Sequence, residues 1–218
     1  MAIDNTTITK AIIKSQHCQR NWDLSKDIPE EDMNVLITAA TQCPSKQNIA
    51  HYKAHFITNR ELIETIHSMT DGFTYSILPE KKTTTNTQTL ANLLVVLESI
   101  PDKEKLKDPG RNEQTVDLAL NKPSAETNSL MLKDAHMAVG VAAGYLNVTA
   151  TLMGYSTGCC ACFDENGVKK LLGLENNPVL LMGIGHKDAA RNRRVHHLQN
   201  DFVFPTLPKQ DIEVHFWH

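Results

Sequence analysis

The amino-acid sequence predicts one domain in which helices cover a β-sheet, an α+β or α/β sandwich of layers rather than a bundle or a barrel. Three observations predict this fold class. Helix-like and strand-like hydrophobic patterns alternate along the chain. The run Leu93–Leu97 is continuously apolar, as in strands that are covered on both faces. A length of 218 residues with 41% hydrophobic residues suits a single globular domain over residues 1–218.

Two helices are predicted before the first strand. The first is a short amphipathic helix from Ile8 to Cys18. The second begins at Pro29, because proline suits the first helical position and the three acidic residues that follow suit the positive end of the helix dipole. It must end near Cys43-Pro44, because a residue before proline disfavours the helical conformation. Its apolar face is expected to contain Met33, Leu36, Ile37 and Ala40.

Two strands and a third helix follow. Tyr52–Thr58 alternates apolar and polar residues in the manner of a half-buried strand. Asn59 is a favourable N-cap, so a helix should begin directly after it. The apolar run Leu93–Leu97 is the second strand. The helix between the two strands would bury Leu62, Ile63 and Ile66.

A polar segment then precedes the most apolar part of the chain. Ser99–Asn128 is interrupted by prolines, and we expect a variable excursion or lid over residues 99–128 with one short helix at Val116–Leu120. From Ser129 to about Met153 the chain is apolar on almost every side, which predicts a central helix that also offers an association surface. Ala135–Gly154 could span a bilayer by length, but its four polar residues favour a buried helix and no membrane contact.

The C-terminal third predicts a loop, a helix, a strand and an arm. Gly154–Phe163 is rich in small residues and is expected to be a loop. Asp164 is the N-cap of a helix that ends at Gly173. Pro178 introduces the strand Val179–Ile184. Residues 199–218 form a C-terminal arm whose aromatic residues, within 202–217, are too few to form a core of their own.

Composition excludes several function classes. The 25 acidic and 22 basic residues give a net charge of −3 and are spread through the chain, which argues against a nucleic-acid partner. The first residues show no basic region followed by an apolar stretch, so a cytoplasmic location is expected. Cys159, Cys160 and Cys162 are too close for unstrained mutual bridges, so reduced thiols are expected.

Four segments could carry chemistry, and each has a purely structural alternative. Residues 16–22 place donors and a cation at a helix end, although solvated helix ends look similar. Residues 43–48 gather hydroxyl, amide and ammonium donors, as turns often do. The small residues of 154–163 would let backbone N–H groups approach a ligand, or would simply pack. The arginines of 191–194 could bind a phosphate bidentately or form a solvated basic turn.

Other chemistries find little support in the sequence. There is no dinucleotide-binding glycine motif, no Walker phosphate loop and no nucleophile elbow. The Cys-Cys-x-Cys pattern lacks the paired spacing of structural zinc sites, and the ten histidines share no metal-ligand spacing. A hydrolase or a metal site is therefore not expected, and most cysteines should pack as small apolar side chains.

Taken in order, these segments resemble the nitroreductase family of FMN-dependent oxidoreductases. Gln16–Trp22 is similar to the family's N-terminal flavin motif, and Pro44–Asn48 is similar to its Pro-Ser-x-x-Asn turn. The later strands and helices follow in the family's order over almost the whole chain, Ser99–Asn128 excepted. The resemblance implies an α+β homodimer, built as an α-β-α sandwich around a mostly antiparallel sheet. It also implies FMN at the subunit interface and a C-terminal arm on the partner subunit.

The resemblance further implies roles for individual residues. Gln16, His17 and Cys18 would lie along the ribityl phosphate. Arg20 would face the pyrimidine edge, where a cation stabilises the negative charge of reduced flavin. The remaining implied contacts are Arg191 and Arg193 at the phosphate; Pro44, Ser45 and Asn48 of the other chain against the ring; Ala161 and Cys162 near flavin N5; and Asn86 before the strand at Leu93.

The implied reaction needs no catalytic side chain. NAD(P)H would give a hydride to flavin N5, and a small electron-poor acceptor of nitroaromatic or quinone type would then take two electrons at the same place, in ping-pong order. Three departures are present: Gln16 where the family usually has arginine, Cys18 where it usually has serine, and residues 49–52 in place of Gln-Pro-Trp. Two alternatives therefore stay open. One is a specialised member that fragments flavin or dehalogenates an aromatic, and the other is a flavin-binding protein without turnover.

Overall fold

The computed structural model describes residues 4–71, 73–74, 83–100 and 124–217. The predicted helix at 116–120 and most of the excursion lie outside these residues. The described helices are α1 (Asn5–Ser15), α2 (Glu30–Thr41), α3 (Arg60–Ser68), α4 (Ser124–Leu152) and α5 (Glu165–Leu172). The described strands are β1 (Tyr52–Ile57), β2 (Phe73–Thr74), β3 (Thr83–Thr84), β4 (Leu93–Ser99), β5 (Ser156–Cys160) and β6 (Pro178–Gly185). Short 3-10 turns occupy Lys46–Asn48 and Thr87–Leu90.

The central sheet has the strand order β1-β4-β6-β5, and each neighbouring pair is antiparallel. The short strands β2 and β3 form a separate antiparallel pair. The predicted α+β fold with an antiparallel central sheet is confirmed. Since β1 and β5 are the two edges, the residues that precede β1 lie far across the sheet from those that follow β5.

Hydrophobic clusters cover the sheet on both faces. Every residue of β4 is buried, which confirms the interpretation of its continuous apolar run. On one face, Leu94 and Val96 pack with residues of α3 and α5. On the other, Leu93, Val95 and Leu97 pack with residues of α2 and α4. The fold is therefore a three-layer sandwich with the sheet in the middle.

Local capping explains where the helices begin and end. The Asn59 side chain accepts a hydrogen bond from the Leu62 N–H at 2.9 Å, and Asp164 does the same for Gly167 at 2.9 Å. Gly173 ends α5 with φ of 64°, a left-handed conformation that glycine adopts without strain. These caps lie where the sequence predicted them. By contrast, Asp4 caps α1, which therefore begins and ends three residues before the predicted bounds of Ile8 and Cys18.

Four further expectations are corrected by the structure. Residues 154–163 are not simply a loop, because 156–160 form the edge strand β5. Residues 124–128 belong to α4 rather than to the excursion. Ile37 does not lie on the buried face of α2 and is 38% exposed. Phe202 and Phe204 are buried within their own chain, so the exposed apolar side chains of the arm are Val203 and, further on, Leu207, Ile212, Val214, Phe216 and Trp217.

Candidate functional site

The segment that follows α1 runs between β5 and the segment that follows β6. The Gln19 N–H donates to Thr157 O at 2.8 Å, on β5. The Arg20 N–H donates to Arg193 O at 3.0 Å, and the Asn21 side chain donates to Asn192 O at 2.7 Å. Three of the four segments singled out from the sequence therefore meet in one place within a single chain.

The fourth segment lies elsewhere. Residues 44–48 precede β1, at the opposite edge of the sheet from β5. Ser45 and Asn48 line a separate cavity of about 590 Å³ together with residues of α2 and β1. The Ser45 hydroxyl donates to Ile49 O at 2.8 Å. One chain alone does not bring this turn to the other three segments.

A small basic pocket lies where the three segments meet. Its volume is about 260 Å³. Four cationic side chains and a histidine line it against one acid: Lys14, Lys187, Arg191, Arg193 and His17, with Asp188. Burial, and then the charge of Lys187, lowers the pKa of Lys14, as expected where positive charges crowd together. This arrangement can bind a phosphate.

The two arginines of this pocket are held differently. The guanidinium of Arg191 donates to His196 O at 2.6 Å, Asn200 Oδ1 at 2.7 Å and His197 O at 3.3 Å. These three bonds hold the Arg191 guanidinium against the turn at residues 196–200. Among the described residues, Arg193 makes one long hydrogen bond, to Cys18 O at 3.3 Å. Arg193 is therefore better placed to donate to an anion, while Arg191 contributes charge.

The remaining members of the N-terminal segment differ in exposure. Gln16 and His17 are exposed, and of these two only His17 lines the basic pocket. Cys18 is half-buried, and burial raises the pKa of its thiol. Arg20 is also half-buried, and its guanidinium carbon lies 4.2 Å from the centroid of the Phe204 ring. Such a stacked arrangement is a cation–π contact.

A chain of amides connects Arg20 to the end of β5. Arg20 Nη1 donates to Gln88 Oε1. Gln88 Nε2 donates to Asn86 Oδ1 and to Cys159 O, both at 3.2 Å. Asn86 Nδ2 in turn donates to Asp71 O at 3.2 Å and to Cys162 O at 3.5 Å. The buried Asn86 side chain thus supports the backbone at 162 with its donors.

Ala161 and Cys162 are exposed and lie just beyond β5. The carbonyl of Cys162 accepts from the Asp71 N–H at 2.9 Å, which fixes the backbone there. Burial raises the pKa of the neighbouring Cys160 thiol to about 11. The expectation of unreactive packing therefore suits this thiol. Among the described residues, no group of three histidines, cysteines or acids is arranged to hold a metal.

Sequence reasoning missed Lys14, Lys187 and Gln88. The two lysines are 173 positions apart in a chain of 218 residues, and only the fold brings them together. Gln88 lies in no motif. A glutamine shortly before a predicted strand is a weak signal of a functional role, because the sequence alone does not show which residues its side chain will bond.

Comparison with known proteins places the chain in a family. The model of the nitroreductase family matches residues 13–186. The chain belongs to the nitroreductase family. The resemblance stated from the sequence is thereby confirmed. Among curated protein sequences, none is significantly similar to this nitroreductase-family chain.

Solved structures of the family share the fold at low identity. A protein from Exiguobacterium sibiricum, described as a nitroreductase in complex with FMN, is 17% identical, with a TM-score of 0.65 and coverage of 96% of this chain and 95% of that one. A protein from Staphylococcus epidermidis, described as an NAD(P)H:FMN oxidoreductase, is 18% identical, with a TM-score of 0.61 and coverage of 95% and 94%. A gut-bacterial enone reductase is 18% identical, with a TM-score of 0.60 and coverage of 86% and 91%.

The long helix α4 is not a membrane span. Among the described residues, no helix combines the length and the apolar character that crossing a bilayer requires.

Proposed function

We propose that this nitroreductase-family chain is an FMN-dependent oxidoreductase that uses NAD(P)H as reductant. The observation that carries the proposal is the convergence of residues 16–20, 156–162 and 187–193 on one site. The basic pocket suits the phosphate of FMN, because several cations there face a single acid. Arg20 supplies a positive charge beside β5, where the pyrimidine edge of the ring would lie. The residues present therefore fit the cofactor.

Bound FMN would accept a hydride from NAD(P)H and pass two electrons to an electron-poor acceptor, in ping-pong order. The protein's own contribution is to bind and orient. Arg193, Lys187 and His17 would hold the phosphate, with Arg191 adding charge. Gln16 and Cys18 would lie along the same side of the cofactor. Arg20 would stabilise negative charge on the reduced ring, since a fixed cation costs no reorganisation when that charge develops.

The proposal includes a homodimer whose two sites are shared between chains. On α4, Met137, Val141 and Tyr145 recur every fourth residue and are 59%, 38% and 49% exposed. An exposed apolar stripe of this kind marks an association surface. The arm beyond residue 206 also leaves Phe216 and Trp217 80% and 93% exposed, as expected if the partner subunit covers it.

The turn at residues 44–48 gives a second reason for a dimer. It lies at the opposite sheet edge from the cluster at 16–20, so Pro44, Ser45 and Asn48 would serve the partner's site. Ala161 and Cys162 would approach flavin N5 from the same chain as Arg20. We further propose a cytoplasmic location, which the five free cysteines favour.

We propose an acceptor of nitroaromatic or quinone type. Nitroaromatics and quinones accept two electrons readily, and the reaction requires no acid or base from the protein. The enone reductase among the structural relatives makes an activated alkene a useful third test compound.

Absorbance spectroscopy tests the proposal. Purified protein, or protein mixed with FMN, should show the visible spectrum of a bound flavin, and NADH or NADPH should bleach it under anaerobic conditions. A nitroaromatic or quinone should then restore the colour. Protein that binds no FMN would refute the proposal, and protein that binds FMN but is bleached by neither nucleotide would be a flavin-binding protein without turnover.

Product analysis separates the specialised alternatives. Reduced FMN with oxygen, or a halogenated phenol, is supplied without any nitro compound. Recovery of intact FMN and unchanged phenol supports the general oxidoreductase, whereas flavin fragments or released halide would assign the specialised chemistry.

A further inference from the structure

Gln88 is a buried polar residue to which the proposed mechanism gives no role. It is 3% exposed and lies in the 3-10 turn Thr87–Leu90, which Ala91 and Asn92 connect to β4. Within the described residues, its side-chain hydrogen bonds all lie inside the candidate site. Its Oε1 accepts from Arg20, and its Nε2 donates to the Asn86 side chain and to the backbone of Cys159.

These partners allow only one orientation of the Gln88 amide. Asn86 Oδ1 and Cys159 O are both acceptors, so they require the NH₂ end. The carbonyl end must then face the guanidinium of Arg20, which can only donate. A flipped amide would place donors against the guanidinium and an acceptor against two acceptors. The network therefore fixes the orientation of the Gln88 amide and of the Arg20 guanidinium that it holds.

The surrounding fold leaves Gln88 little freedom to move. A Cβ at Gly158 of β5 would lie 2.5 Å from Gln88 Cβ, and a Cβ at Gly183 of β6 would lie 1.9 Å from Gln88 O. In the same turn, Thr87 O accepts a hydrogen bond from the Trp22 indole N–H at 2.9 Å. The Thr87 hydroxyl donates to Arg20 O at 2.8 Å. The same turn thus holds both the backbone and the side chain of Arg20.

The partners of Arg20 leave its charge uncompensated. Gln88 contributes a neutral carbonyl, and Phe204 contributes a neutral ring face. Within the described part of the chain, no acidic side chain forms an ion pair with Arg20. A glutamate in place of Gln88 could hold the guanidinium as firmly but would cancel its charge.

We propose that Gln88 is a positioning residue that fixes the Arg20 guanidinium beside β5 while leaving its positive charge available to the reduced flavin. This inference rests on the proposed FMN function. It assigns to Gln88 a share in setting the reduction potential, through the orientation and charge of Arg20 rather than through contact with the cofactor.

The test compares the flavin midpoint potentials of wild-type protein, Gln88→Glu and the control Asn92→Asp. Asn92 is a half-buried amide that bonds Asp23 O, Lys26 O and the His186 N–H, away from Arg20. In Gln88→Glu, the ratio of the affinity for reduced FMN to the affinity for oxidised FMN should fall about tenfold. This lowers the two-electron midpoint potential of the bound flavin by about 30 mV. Asn92→Asp should change that ratio less than twofold.

A second variant separates positioning from charge. Gln88→Met keeps the length of the side chain but removes its hydrogen bonds. In crystal structures of the flavin-free proteins, Arg20 should leave the face of Phe204 in Gln88→Met and stay there in Asn92→Asp.

The outcomes are decisive in each case. Equal potentials in Gln88→Glu and Asn92→Asp, or an unmoved Arg20 in Gln88→Met, would overturn the inference while leaving the proposed function intact. If the wild-type protein binds no FMN, the proposed function fails and so does the role in setting a potential. The flavin-free structures would then support or refute only the anchoring of Arg20.

Discussion

At the scale of single residues, the candidate site combines side chains that were predictable from the sequence with others that were not. Arg20 and Arg193 attract attention because a cation at a helix end and a cluster of arginines after a strand both suit an anionic cofactor. Gln88 and Lys14 do not, because nothing in their neighbouring sequence indicates that they will meet Arg20 and Lys187 in the fold. Residue type and local motif predict candidate ligands, whereas the partners that orient them depend on long-range packing.

Arg193 offers the most direct test of the phosphate assignment. Arg193→Glu should weaken FMN binding about 10- to 100-fold, because it removes a charge-assisted hydrogen bond worth about 1.5–3 kcal/mol and adds repulsion. Fluorescence titration of apoprotein with FMN measures the change. Lys170→Glu makes the same change in net charge on the exposed end of α5 and should leave the affinity within twofold. Equal effects of the two substitutions would refute the phosphate assignment.

Two buried histidines predict how stability changes with pH. His67 is 8% exposed and bonds Thr85 Oγ1 at 2.8 Å, while His196 is 1% exposed and its Nδ1 accepts the N–H of Leu198 at 3.1 Å and of Gln199 at 2.9 Å. Burial, and then nearby positive charge, lowers the pKa of each to about 4. The unfolded chain binds these protons below about pH 6.5, so protonation favours unfolding.

Stability should therefore be highest above pH 6.5 and fall as the pH drops from 6.5 to 4. The two histidines together give a slope of up to about 2.7 kcal/mol per pH unit. Urea unfolding of the apoprotein across this range measures the slope. His67→Gln should lower the slope by up to about 1.4 kcal/mol per pH unit, the contribution of one proton, whereas His215→Gln, near the exposed C-terminus, should not change it. A flat profile would show that these histidines are not held neutral.

At the scale of elements, strongly patterned segments were predictable and weakly patterned ones were not. The run in β4 and the caps of α3 and α5 each have a local physical cause, so sequence and structure agree there. The edge strand β5 was missed because Ser156–Cys160 has no β-branched core pattern and consists mostly of small residues. Its pairing with β6 is a tertiary effect. The end of the predicted excursion was wrong because α4 begins at Ser124.

The small residues of β5 and β6 have a packing role that can be measured. Gly158→Ala and Gly183→Ala should both destabilise the apoprotein, because each new methyl meets the turn at Thr87–Leu90. Overpacking of this kind costs about 1–3 kcal/mol. Gly183→Ala should cost more, since its methyl would lie 1.9 Å from the backbone oxygen of Gln88, whereas the methyl of Gly158→Ala would lie 2.5 Å from Gln88 Cβ. Urea denaturation measures both, and wild-type stability in Gly183→Ala would contradict the packing described here.

At the scale of the whole molecule, the proposed flavin site depends on two chains. The sheet separates the turn at residues 44–48 from the cluster around Arg20, and an apolar stripe on α4 stays exposed. The sequence predicted the layered fold because hydrophobic periodicity is local. It predicted the shared site only through resemblance to the nitroreductase family, because no pattern within one chain shows which residues face a partner.

The measurement that tests this claim most directly is FMN binding by mixed dimers. Arg193→Glu damages the phosphate site, and Asn48→Trp places a bulky side chain at the turn that would serve the partner's ring. Each variant alone should bind little FMN. After unfolding and refolding together, they should bind about one quarter of the wild-type amount, because about half of the dimers are mixed and each mixed dimer contains one undamaged site. A mixture that binds no more FMN than the separate variants, although both fold and form mixed dimers, would contradict a flavin site built from two chains.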